Sequence, residues 1–170
     1  MGISRSAATE DYPHPVPIPD FVRDLRCHVG TASLWLPGVT AVVRRGDEVL
    51  LVQRSDTGAW SPVTGIVDPG EQPAVAARRE VLEETAVHVR VDRLAAVQAL
   101  PPTTHVNGDQ ATYLDMTFAC TYLRGHARVA DDESVDVRWF RLDTLPEIQQ
   151  SVRDRMDCAL ADDPVTRFVP

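Results

Sequence analysis

Gly65-Ile66-Val67-Asp68-Pro69-Gly70-Glu71, seven further residues, and then Arg79-Glu80-Val81-Leu82-Glu83-Glu84-Thr85-Ala86-Val87 is the stretch on which the reading of this chain turns. Its first part is rich in glycine and proline and reads as an irregular loop. Its second part falls in AVAARREVLEET, residues 74–85, a run of strong helix formers with no breaker. On that helix Ala74, Ala77, Val81 and Leu82 are expected to form the apolar face. Glu80, Glu83 and Glu84 stand at i, i+3 and i+4, so their carboxylates share one strip. Like charges at that spacing repel by roughly a few tenths of a kcal/mol per pair. Arg79 alone is adjacent in sequence to relieve them, and the remaining positive charge is the kind that a hard divalent cation supplies. Mg²⁺ (or Mn²⁺) takes carboxylate oxygens and keeps several waters. The alternative for the three glutamates by themselves is a solvated acidic helix face.

The spacing of the whole segment resembles the Nudix box, G-x5-E-x7-R-E-U-x-E-E-x-G-U, where U is a bulky aliphatic residue. Gly65, Glu71, Arg79, Glu80, Val81, Glu83, Glu84 and Val87 all fit it. A chance match in a chain of this size has odds of about one in a million, which decides against the solvated face. The resemblance is specific over residues 65–87 and looser from about 36 to 147. One position departs: the second box glycine is Ala86. A glycine there would end the helix in a left-handed conformation, which alanine adopts at about 1 kcal/mol. No ligand is lost by the change.

Similarity to MutT-like Nudix hydrolases implies a Nudix fold and a loop–helix–loop that holds one or more Mg²⁺ ions. By that resemblance Glu80, Glu83 and Glu84 are metal ligands, or ligands plus a base, and Glu71 reaches the metal directly or through water. The Gly65 carbonyl is a further ligand, and Arg79 orients a box glutamate. The implied reaction is attack of activated water on a phosphorus of a diphosphate in a nucleotide-like substrate. Glu80 is a candidate base. A carboxylate from Asp131-Asp132-Glu133, outside the box, is its rival, and the alternative for that run is a solvated turn. The substrate options are an NTP or dNTP and an ADP-ribose-type molecule; Pro102, about fifteen residues past the box, favours the latter weakly. A Nudix module that binds a nucleotide or other metabolite without turnover is the other functional reading.

Around the box, PDFVRDLRCHVG predicts a short amphipathic helix with Asp20 as its cap and Gly30 as its end. SLWLPGVTAVVRR and EVLLVQR, separated by Arg45-Gly46-Asp47, predict an antiparallel hairpin. A short strand is expected around Trp60–Thr64. Strands follow at HVRVDRLAAVQAL, TYLDMTFACTYLRG and VDVRWFRL, with Pro101-Pro102 and residues 105–110 as loop, and a last helix spans roughly 146–161 with Thr144 as candidate cap. This α/β (α+β) mixture predicts a mixed β-sheet sandwiched between helices. Residues 1–18, polar and proline-rich, read as a flexible arm ahead of a single domain over 19–165. The arm and first helix either mediate a homodimer or cover one end of the sheet. For substrate contacts, Arg54 at the end of LLVQR is a candidate for phosphate, Asp115 for a base edge, and Glu133 for the reacting centre. The polar loop around His105, Asn107 and Asp109 is a candidate cover.

Composition narrows the partners. A net charge of −8 over 170 residues opposes a polynucleotide partner, which would demand a basic surface. It suits a small-molecule nucleotide whose phosphates meet carboxylates through a cation. All 17 basic residues are arginine, which reads as codon bias. Cys27, Cys120 and Cys158 are scattered and lack metal-site spacing, so reduced thiols and a cytoplasmic setting are expected. No run reaches the ~18–20 apolar residues of a membrane span, and the start of the chain lacks the apolar core of a signal peptide.

Overall fold

The computed structural model describes residues 18–168, so the expected arm, residues 1–18, lies outside the described residues except for Ile18. The order of elements is α1 (Asp20–Val29), β1 (Leu34–Arg45), β2 (Glu48–Arg54), β3 (Trp60–Ser61), β4 (Val63–Ile66), α2 (Pro73–Thr85), β5 (Val87–Ala99), β6 (Thr103–Thr104), β7 (Gln110–Gly125), β8 (Ser134–Arg141), α3 (Gln150–Leu160) and β9 (Arg167–Phe168). The expected architecture is present: a mixed sheet with helices on both faces. β1 is its axis. It runs parallel to β7 from Leu34–Ala111 to Arg44–Thr121, and β7 is antiparallel to β5 along nearly its whole length. The other edge of β1 is divided. At the turn it takes β2 only through Arg44–Val49 and Arg45–Glu48; further back it takes β4 from Ala41–Val63 to Gly38–Ile66. The expected hairpin is therefore closed only at its tip. β2 diverges to pair with β8, and the divergence is what admits the strand that leads into the box.

Valine-rich alternation explains the layering. Val39, Ala41 and Val43 point to the face shared with Leu50, Val52, Val63, Ala76, Ala77 and Val81, where α2 packs. Val42 points to the other face, with Val49, Leu51, Ala95 and Met156 of α3. α1 covers the start of that second face through Val22, Leu36 and Ala111. Burying Val81 alone contributes about 1.5–3 kcal/mol.

Several local expectations shift. Asp20 does not cap α1: the cap position is Pro19, whose carbonyl accepts from the Val22 and Arg23 amides, and Asp20 instead pairs with Arg23 one turn on. The strand at Trp60–Thr64 is two strands interrupted at Pro62, which has no N–H to give a ladder. α3 starts at Gln150 with no side-chain cap, and Thr144 lies in the preceding bend. Leu145 precedes Pro146 and is steered away from helical geometry, and it packs with Ile148 against the α3 core cluster. β6 falls in the expected loop between β5 and β7, and β9 lies beyond the expected domain end at 165. On α2 the buried residues are Ala76, Ala77, Val81, Glu84 and Thr85, while Ala74 and Leu82, expected on the apolar face, are exposed.

α2 opens with Pro73 in its first turn and ends at Ala86, which adopts φ 57°, ψ 23° and donates its amide to the Leu82 carbonyl. The departure from the box therefore leaves the turn intact and places an alanine in the left-handed region. Ala86→Gly should stabilise the protein by about 1 kcal/mol, since it removes a left-handed penalty of roughly 1–2 kcal/mol against a smaller entropic cost. Chemical denaturation of the two proteins checks this, with a rise in midpoint at constant slope expected.

Candidate active site

Residues 57–72 bring the chain from β2 to the start of α2, and β4 lays Gly65 beside that helix. A methyl group at Gly65 would lie 2.1 Å from Cδ of Glu80. The glutamate thus rests directly on bare backbone, a closeness that only glycine permits.

Arg79 gathers three of the acidic groups. Its Nε and Nη2 donate to the two oxygens of Glu71 at 3.0 and 2.9 Å. Its Nη1 donates to Glu80 at 2.9 Å and Glu83 at 3.0 Å, and Nη2 also reaches the Ile66 carbonyl at 3.2 Å. The adjacent arginine therefore does more than the sequence suggested: it supplies positive charge to Glu71, Glu80 and Glu83 together. The hydrogen bond from Arg79 holds Glu71 below the usual carboxylate range. Glu80 is nonetheless pushed up to about 7, chiefly by burial.

Glu84 lies beyond the reach of that arginine. It is 4% exposed, and the one hydrogen bond of its side chain among the described residues is a long one, 3.5 Å from the Ser134 hydroxyl. Burial pushes its carboxyl up to about 9, and Glu133, Asp131 and Glu80 add to the rise. Glu133 is pushed up to about 7, first by burial and then by Asp131 and Glu80, and Asp131 is raised too. Residues 126–133 are pinned there by backbone bonds: Arg128 N to Thr85 O, Ala130 N to Glu84 O, and Ser55 N to Glu133 O. Asp131 and Glu133 are thereby held half-buried near the end of α2, while Asp132 between them is exposed.

The three helix glutamates occupy graded environments. Glu83 is half exposed beside Arg79, Glu80 is mostly covered, and Glu84 is buried. Among the described residues no three acidic, histidine or cysteine side chains stand close enough, as oriented, to enclose a metal ion. The chemistry of the donors nevertheless fits a hard cation. A buried carboxyl with one weak hydrogen bond and three carboxylates around it stays protonated unless a positive charge stabilises its ionised form. Oxygen donors are what Mg²⁺ takes.

Arg54 faces this cluster from β2. The β2–β8 register shifts between Gln53 and Arg54, so Gln53 opposes Asp136 while Arg54 opposes Ser134. Such a bulge re-aims a strand end. Here it sets Arg54 across from the serine that reaches Glu84. Arg54 donates Nε and Nη2 to the two oxygens of Asp56 at 2.9 and 2.7 Å.

Asp115 is placed otherwise than expected. It is 3% exposed, and its oxygens accept from Thr40 at 2.6 Å and Thr117 at 2.7 Å, so the carboxylate is committed within the sheet and offers nothing to a base edge. Tyr113 shares its face, with its hydroxyl 3.0 Å from His105 Nε2. Asn107 and Asp109 bond to each other, and Asp109 also pairs with Arg26 of α1. Trp60 packs edge-on to Phe140 and Trp139 lies under Arg45, while Trp35 is exposed. The sequence gives no sign of Ser134: a small polar residue at the head of an alternating strand carries little signal without its register.

The chain belongs to the Nudix family: the NUDIX domain matches residues 34–160. It is similar to the NAD-capped RNA hydrolase NudC of Pseudomonas syringae pv. syringae, with 34% identity over 115 residues, 66% of this chain and 38% of that protein. The corresponding protein of Yersinia enterocolitica is 35% identical over 65% of this chain and 40% of its own length. The chain thus spans about two fifths of the length of these curated relatives. Among solved structures, an ADP-ribose pyrophosphatase from Streptococcus suis superposes with TM-score 0.59 at 25% identity, covering 79% of this chain and 98% of the other. A NUDIX hydrolase from Nitrosomonas europaea gives TM-score 0.63 at 24% identity over 78% of this chain and 76% of that one, a likeness of fold.

The Glu84 environment has a consequence for stability. In the unfolded chain this carboxyl titrates near 4.5, and in the folded chain near 9. The metal-free protein therefore keeps this contribution in full below pH 4.5 and loses it as pH rises toward 9. In chelator, Glu84→Gln should melt higher than wild type at pH 8, with the difference closing by pH 4.5. Thermal melts across that range check it.

Proposed function

We propose that this chain catalyses divalent-metal-dependent hydrolysis of a diphosphate bond in a nucleoside diphosphate linked to another moiety. The observation that carries this reading is the buried Glu84 carboxyl, with Glu80, Glu133 and Asp131 close enough to raise it, at the end of a helix where Arg79 pairs with Glu80 and Glu83 and leaves Glu84 without an ion pair. Glu80, Glu83, Glu84 and Glu71, with the Gly65 carbonyl, are the groups that would hold Mg²⁺ or Mn²⁺. When bound, such an ion neutralises the diphosphate and acidifies a water.

The chain's own residues supply the rest. Arg79 orients Glu71, Glu80 and Glu83 through its four carboxylate contacts. Arg54 donates to a phosphate oxygen. A carboxylate accepts the proton of the attacking water while the bridging P–O bond breaks and the second phosphate leaves. Glu80, where it does not itself hold the ion, and its neighbour Glu133, outside the box, are the two candidates for that base.

The substrate class we favour is a small nucleotide, ADP-ribose-like or an NTP. The net charge of −8 supports a small molecule over a polynucleotide, and the likeness to an ADP-ribose pyrophosphatase supports the former of the two small-molecule options. Free thiols at Cys27, Cys120 and Cys158 are in keeping with a reducing, cytoplasmic setting. No described helix is long and apolar enough to cross a membrane. A second reading, nucleotide binding without turnover, is favoured by one observation, the compensation of three box glutamates by Arg79.

The deciding experiment is a hydrolysis screen with Mg²⁺ or Mn²⁺ over NTPs, dNTPs, ADP-ribose, sugar nucleotides, dinucleotides and NAD-capped RNA, with products identified. Cleavage of a small diphosphate substrate, lost in chelator, is expected. Absence of cleavage across the panel favours the binding module, and preferential cleavage of capped RNA defeats the small-molecule assignment. Glu80→Gln and Glu84→Gln should each lower kcat by about 10²–10⁴-fold. Gly65→Ala should do likewise with the fold retained by circular dichroism, because the new methyl displaces only the flexible end of Glu80.

A further inference from the structure

We infer that Asp56 is a positioning residue for substrate diphosphate: it holds Arg54 off the buried carboxylates and aims the free side of its guanidinium at the substrate. The inference rests on the site proposed above and extends it to a residue outside the box and outside its acidic ring.

Asp56 engages Arg54 through one edge of the guanidinium, Nε and Nη2, with both carboxylate oxygens. This fork-to-fork contact fixes the plane of the group as well as its place. Among the described residues Nη1 has no partner, so that side is left to donate. The loop carrying Asp56 is closed at its base. Arg54 N bonds to Ala59 O, Gly58 N to Arg54 O, and Ser55 N to Glu133 O, the last tying the loop to the acidic segment. Asp56 therefore has a defined position relative to Glu133.

Arg54 also lies within electrostatic reach of Glu84 and Glu133. Left to itself, a long flexible cation beside two poorly compensated carboxylates would fold onto them, where it would compete with a metal ion and point away from the phosphates. Asp56 offers a better partner, engaging Nε and Nη2 together. The arginine is thereby ordered before substrate arrives, which lowers the entropic cost of binding an anion. The ligand chemistry this selects is a diphosphate oxygen pair facing the Nη1 side, independent of the nucleoside attached.

The test is calorimetric titration with the non-hydrolysable probe adenosine 5′-(α,β-methylene)diphosphate in Mg²⁺, using wild type, Asp56→Ala, Asp56→Glu, Arg54→Ala and the Arg54→Ala/Asp56→Ala double variant. Asp56→Ala should weaken Kd by about ten- to a hundredfold, Asp56→Glu should recover part of it, and Arg54→Ala should match Asp56→Ala. The double variant should bind no more weakly than Arg54→Ala alone. A merely structural loop residue would instead lose affinity in the Arg54→Ala background as well. That additivity, an unchanged Kd in Asp56→Ala, or a tighter one would overturn the inference. Failure of wild type to bind the probe would bring down the site itself, whereas binding by wild type with no Arg54–Asp56 coupling sinks this inference alone.

Discussion

The structure depends on keeping an acidic side chain inside the protein at the end of α2. Glu84 shares the buried stripe of the helix with Ala77 and Val81, so the packing that holds the helix to the sheet also draws a carboxylate under cover. Desolvation makes that arrangement unfavourable for the ionised form, and neighbouring Glu133, Asp131 and Glu80 make it more so. That cost is of the kind a bound cation would relieve.

The surrounding elements are arranged about that point. The divided edge of β1, shared between the hairpin tip and β4, brings Gly65 alongside α2. The bare backbone there lets Glu80 lie flat on it. The bulge between β2 and β8 sets Arg54 opposite Ser134. The bonds from residues 126–133 to the end of α2 and to Ser55 bring a second set of acids against the first. Arg79 divides the site in two: a forward group, Glu71, Glu80 and Glu83, that it pairs with and offsets in part, and a rear group around Glu84 with which it makes no ion pair.

Much of this is legible in the sequence where function is tied to spacing. Glu71, Arg79, Glu80, Glu83 and Glu84 occur at fixed intervals on a helix and its leading loop, and their proximity follows from helical geometry. Long alternating or apolar runs announce β1, β2, β5, β7 and β8. What sequence did not disclose depends on pairing between distant segments. Ser134 meets Glu84 only because of a register shift, and the commitment of Asp115 to Thr40 and Thr117 requires knowing that β1 and β7 run side by side. Arg79 was legible as a neighbour of the glutamates; its reach to Glu71 and the Ile66 carbonyl depends on how the loop folds back. β6 and β9, two residues each, are too short to carry a pattern.

Whether the rear group is a cation site is open to direct measurement by Mn²⁺ titration followed by electron paramagnetic resonance in the absence of nucleotide. The account predicts saturable loss of the free-ion signal with wild type, and its disappearance as a binding event in Glu84→Gln. Linear, unsaturable behaviour with wild type, or a Glu84→Gln protein that titrates identically, would show that the buried carboxylate is a feature of packing alone and contradict the account.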